Sequence, residues 1–132
     1  MTTPRLQRRA DRGSATAETV IVVPLAFVML LGAVQFGVWA HASHTAHAAA
    51  TAGLQVARAD TGTAESAHQE AAGLLDDLGG NSLLQDPAIT VARDGTQATV
   101  RVEGTAATVV PGLRLPVRAQ VTGPVDRFTT GG

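Results

Sequence analysis

Glu18 is the residue whose placement asks most for a chemical explanation. It is followed at once by residues 19–40, which contain no Asp, Glu, Lys, Arg or His. A carboxylate in lipid costs about 2.5–3.5 kcal/mol at mid-bilayer and less at the edge, unless a positive group pairs with it. Taken alone it has two readings: a charge that seeks a partner, or a helix N-terminal acid stabilised by the macrodipole and by Arg12. His41, His44 and His47 form the second constellation. On a helix, neighbours at i, i+3 lie close enough for a two-histidine metal site. The third member has rotated away from the first, however, and no acid follows before Asp60, so no metal is expected and the three read as interfacial residues beside Trp39. Nothing supports catalysis. There is no cysteine, the serines at 14, 43, 66 and 82 sit in no nucleophile motif, and the adjacent Asp76 and Asp77 point in different directions on a helix. A non-enzymatic protein without a cofactor is expected.

The segment behind Glu18 must position it. At about 1.5 Å per residue, residues 19–40 make a helix of roughly 33 Å, enough for a hydrocarbon core of about 30 Å. Pro24 and Gly32 are compatible with a membrane helix, where local adjustment re-satisfies freed backbone groups. Arg5, Arg8, Arg9 and Arg12 precede the span, opposed only by Asp11, and no arginine follows until Arg58. The positive flank keeps the N-terminus cytoplasmic and places the rest outside the cell membrane. The only basic cluster lies beside the bilayer, which excludes nucleic acid as a partner. An exported domain with no cysteine has no disulfide staple and depends on its own core, the membrane helix or neighbours. Lysine is absent while arginine occurs ten times, which reads as the coding bias of a GC-rich genome.

Three segments follow: a basic leader at 1–13, a long helix at 14–60 containing the 19–40 span, and a small extracytoplasmic domain at 61–132. The long helix is apolar first and alanine-rich later, so it continues past the membrane surface to a stop near Asp60-Thr61-Gly62, with Gly53 a weak point. A second helix is expected over 64–78. Thr63 is its N-cap, Gly79-Gly80 its end, and Ala67, Ala71, Leu74, Leu75 and Leu78 its apolar face. Alternation predicts strands on both sides of Asp94-Gly95 and a third over 117–122, with the proline-bearing 109–116 a loop or an irregular edge. The fold class is therefore α+β: a long N-terminal transmembrane helix, then a second helix packed on a three-stranded antiparallel sheet. The tail from Gly123 is expected to be loose, with Phe128 able to tuck against the sheet.

The stretch "RGSATAETVIVVPLAFVMLLGAVQFGVWA" (12–40) resembles the processing region of type IV prepilins and pseudopilins. With the proline early in the helix it is similar to TadE-like proteins of tight-adherence (Tad) pilus systems. The distal "VVPGLRLPVRAQVTGPVDRF" resembles the end of their actinobacterial members. The resemblance implies cleavage by a prepilin peptidase between Gly13 and Ser14, where small, non-helical residues would admit the enzyme. Ser14 would become the first residue and Glu18 the fifth, poised to pair with another subunit's new N-terminus. Implied partners are the peptidase, other Tad pilins or pseudopilins, inner-membrane assembly proteins and the lipid bilayer. Ala33 and Gly37 make a small-x-x-x-small pair suited to helix packing. The alternatives are a domain released by signal peptidase after Ala48 and an unprocessed single-pass binding protein without a pilus role.

Overall fold

The computed structural model describes residues 3–126, with side chains from Ala15 onward. The chain forms two compact units, Met1–Val34 and Gln35–Gly132. One helix, α1 (Thr3–Arg58), contributes to both. The second unit therefore takes in the later half of α1, which the expected boundary at 60/61 leaves with the membrane segment. The helix starts ahead of Ser14, so Gly13, Ser14 and Ala15 are helical rather than irregular. Pro4 suits a first helical turn, and Leu6–Ala10 are good helix formers, which explains the early start.

In the first unit α1 is a single exposed apolar rod. All its large apolar side chains from Val20 onward are exposed, and the helix is long and apolar enough to cross a membrane. That fits a single-pass membrane protein. Pro24 has no N–H to give the carbonyl of Val20, one turn earlier.

The second unit is built on a meander of three antiparallel strands, β1 (Leu84–Arg93), β2 (Gln97–Ala106) and β3 (Pro116–Pro124), in that spatial order. Register follows the alternation. Val100 pairs with Val91 and Val121, and Val102 with Ile89 and Ala119. These residues line one face, and Ala98, Val100, Val102, Val117 and Ala119 are buried. The other face is polar. Thr99 bonds Thr122 at 3.0 Å, Arg101 donates twice to Gln120 Oε1, and Glu103 meets Arg118 at 3.2 Å.

Two helices cover the apolar face. α2 (Ala64–Asp77) opens with a reciprocal Thr63–Ser66 capping box and buries Ala67, Ala71 and Leu75. Leu74 is only half-buried and Leu78 is 44 % exposed, so the expected apolar face is narrower than the sequence periodicity suggests. Leu78 is already the C-cap, where the helix turns into left-handed Gly79 (φ 77°). A short helix, α3 (Gly80–Leu83), then leads into β1. The remaining cover comes from α1, whose Ala42, Ala46, Ala49, Ala50, Leu54 and Ala57 join the core. A β-carbon on Gly53 would stand 3.1 Å from Ala71 Cβ and 3.3 Å from Val100 Cγ1. The weak point of the sequence is thus a place where α1, α2 and β2 meet closely.

Three local expectations need correction. β1 begins at Leu84, ahead of the Ile89 alternation, with a register shift between Gln85 and Ala88. Asp86 sits at φ 51° before Pro87, a strained pair that the period-two pattern could not disclose. The hairpin loop is Gly95-Thr96 rather than Asp94-Gly95. Asp94 N donates to Gln97 O, and Asp94 Oδ1 accepts from Thr96 N and Gln97 N, an Asx-type turn. Residues 123–126 are not loose: Gly123 and Pro124 belong to β3, Val125 N donates to Thr96 O, and Asp126 N to Arg58 O. Phe128 lies outside the described residues.

Gly73 lies mid-helix with open space where a β-carbon would stand. Gly73→Ala should therefore stabilise the full chain in detergent by about 0.5–1 kcal/mol. Gly53→Val should cost about 1–3 kcal/mol by overpacking. Thermal unfolding followed by circular dichroism reads both. Equal effects of the two variants would contradict the close packing at Gly53.

Candidate functional site

The helix face around Glu18 is simple. Ala15, Glu18, Thr19, Val22 and Val23 recur at helical spacing and line a shallow groove. Thr19 Oγ1 donates to Ala15 O at 2.8 Å, which turns its methyl rather than its hydroxyl outward. Glu18 is exposed and makes no ion pair with any residue whose side chain is described, from Ala15 onward. Gly13 and Ser14 lie on the same helix, with Ser14 one turn before Glu18. Ala33 and Gly37 are each exposed, and nothing stands within 4 Å of a β-carbon built on Gly37.

The histidines are not gathered into a site. His41, His44 and His47 are exposed on α1, while Ala42, Thr45 and Ala46 between them are buried. Among the described residues, no group of three or more His, Cys, Asp or Glu could hold a metal ion. Trp39 is half-buried: its indole N–H donates to Pro116 O at 3.0 Å, and its ring lies 5.6 Å from that of Phe36.

The sequence reading missed Gln35, which it passed over as one uncharged residue of the 19–40 span. It is 1 % exposed. Its Nε2 donates to Ala107 O at 3.1 Å, and its Oε1 accepts from Val109 N at 2.7 Å and Val110 N at 3.1 Å. One amide thereby holds the start of the β2–β3 loop on the first turn of the second unit. Residues 35–40 of the expected span belong to the second unit, where Trp39 is tied to Pro116. The available signal was a lone amide in an apolar run, where a polar group without a partner is costly.

At its far end α1 is closed off by basic side chains and backbone. Arg93 donates from Nε to Ala57 O at 2.8 Å and from Nη2 to Ala59 O at 3.2 Å. Arg58 O accepts from Asp126 N at 2.8 Å, and Val56 O from Ala59 N at 3.2 Å. The carbonyls orphaned by the end of the helix thus find partners, and a guanidinium faces the negative pole of the dipole. Gly62 is obligatory here, because a β-carbon would stand 1.9 Å from Val56 O.

Comparison with known families bears on α1 alone. The family model for TadE-like protein matches residues 13–55. This stretch is similar to TadE-like proteins. The match begins at the glycine before the expected cut and takes in Glu18, the apolar rod, Gln35 and most of the alanine face. It covers about a third of the chain's 132 residues, and the distal 109–128 stretch lies outside it. The TadE-like match points to a Tad pilus-related protein. No curated protein and no solved structure matches the chain.

Replacing the Gln35 amide by a hydrocarbon of similar size leaves two N–H groups and a carbonyl without their partner. Water can reach part of the loop, so the expected cost of Gln35→Leu is about 1–3 kcal/mol rather than the sum over three groups. Faster amide exchange at Val109 and Val110 in the detergent-solubilised chain should accompany it. Unchanged exchange at both positions would show that Gln35 does not hold the loop.

Proposed function

We propose that this chain is a non-enzymatic pseudopilin or minor pilin of a Tad-type pilus or related secretion apparatus, anchored by α1 with its N-terminus cytoplasmic. A prepilin peptidase cuts it between Gly13 and Ser14. The observation that carries this reading is the exposed Glu18 at the head of an apolar helix, without an ion pair to any residue whose side chain is described, within a TadE-like match that starts at residue 13. Cleavage removes the leader arginines and creates an α-amino cation on Ser14. Glu18 of one subunit then pairs with that cation on another, which offsets the cost of a carboxylate near lipid and sets the register between helices. Because Gly13–Ala15 lie in a helix, the peptidase must unwind a turn, and glycine lowers the cost of doing so. Ala33 and Gly37 are offered as a place for a neighbouring helix to approach. The partners of this reading are the peptidase, other Tad pilins or pseudopilins, inner-membrane assembly proteins and lipid.

The geometry weighs against release by signal peptidase after Ala48. Such a cut would strip Gln35, Trp39, Ala42, Thr45 and Ala46 from the unit they help to build, exposing the sheet face beneath.

Glu18→Ala and Glu18→Gln should insert into membranes like the parent and accumulate to the same level. Both should lose incorporation into the assembled apparatus by at least about tenfold, the equivalent of an interaction near 1.4 kcal/mol. Fractionation of cells expressing each variant reads both quantities. Normal assembly by both would contradict the pairing role.

A further inference from the structure

The β2–β3 loop carries features that the pilin reading does not use. Residues Val110-Pro111-Gly112-Leu113 form a tight turn closed by Leu113 N donating to Val110 O at 3.2 Å, with Gly112 at φ 80°. Proline followed by a positive-φ glycine is the signature of a type II turn, which is rigid before any partner arrives. Around it stand Val109, 38 % exposed, and Leu113, 39 % exposed, beside exposed Pro111. Arg114 follows, exposed and without an ion pair to a described residue. Gln35 bonds the loop to α1, and Trp39 bonds its far end at Pro116, with Phe36 64 % exposed alongside.

We infer that this loop is a second membrane contact: Val109 and Leu113 enter the interfacial zone of the bilayer beside Phe36 and Trp39, while Arg114 reaches the lipid phosphates. The inference rests on the reading of α1 as a membrane helix, and it commits to lipid for a reason of covalent continuity. Val34 is bonded directly to Gln35, so whatever Gln35 holds is held within a turn of the end of the apolar rod. Irregular backbone is not stable in the hydrocarbon core, so the turn sits at headgroup depth, where aromatic and arginine side chains are favoured. Arginine can bury its stem and keep its guanidinium among phosphates.

The chain has no cysteine and one tryptophan, so single probes are unambiguous. Full-length Leu113→Cys, Val28→Cys and Thr90→Cys are labelled with an environment-sensitive fluorophore. Each is reconstituted in vesicles of phosphatidylcholine and phosphatidylglycerol carrying doxyl-lipid quenchers. The Val28 probe reports the membrane helix, and the Thr90 probe reports the exposed side of the sheet. The expected result is blue-shifted emission at Leu113, quenched most by shallow doxyl groups, with the Thr90 probe unquenched. A Leu113 probe that behaves like Thr90 while Val28 is quenched overturns the loop contact and leaves the membrane reading intact. An unquenched Val28 probe overturns both. A blue shift at Leu113 that resists lipid quenchers and fades as protein is diluted in lipid assigns the patch to a second copy of the chain, and overturns the lipid contact.

Discussion

The structure depends on the close approach of one helix face to one sheet. Ala42, Ala46, Ala49, Ala50 and Ala57 bring α1 down onto β2 and β3, with Gly53 packed closely against Val100 and Ala71. Each alanine removes little apolar surface from water, so the stabilisation comes from many short backbone-to-side-chain contacts rather than from a few large side chains. Such a contact tolerates neither added bulk nor withdrawal of the helix. With no disulfide and only three phenylalanines and one tryptophan in the chain, this contact works together with the sheet ladders and the packing of α2. The same helix carries the exposed apolar side chains from Val20 to Val34.

Polar groups then fix where along the helix the packing begins and ends. Gln35 satisfies three backbone groups of the β2–β3 loop at the entry, and Arg93 with Asp126 N satisfies the carbonyls at the exit. Between these points the buried stripe is mostly alanine, with Thr45, Gly53 and Leu54 among it, and the close fit at Gly53 opposes sliding by a turn. Gln35 and Arg93 add to that register, since a one-turn slip would leave several buried groups unpaired. On the exposed side of the sheet, the Thr99–Thr122, Arg101–Gln120 and Glu103–Arg118 pairs do for strand register what Gln35 and Arg93 do for the helix.

Much of this was legible in residue order, for identifiable reasons. Thr63, the 64–77 face and Gly79 spell a capped helix because capping and periodicity are local. Val100, Val102, Val117 and Ala119 declare their burial by alternation. The boundary at Val34/Gln35 was not legible, because an uncharged run looks the same whether it meets lipid or alanine-packed protein. Gln35 was overlooked since its partners lie more than 70 positions away. The left-handed Asp86, the Asx-type turn at Asp94 and the pairing of residues 123–126 are all outcomes of tertiary fit. At the candidate site, Glu18 was visible as an anomaly of charge. Helicity through Gly13–Ala15 was masked by the expectation that a cleavage site is irregular.

If the chain works as proposed, its two halves divide the task. The exposed rod with Glu18 associates, and the Gln35–Asp126 unit presents a fixed surface outside the membrane. The association rests on one covalent event, removal of the leader. Intact mass and terminal peptide analysis of the protein recovered from its native membranes tests that event directly. The account predicts a chain beginning at Ser14. A chain that retains Met1–Gly13 would contradict it, because Glu18 would then have no new amino terminus to meet.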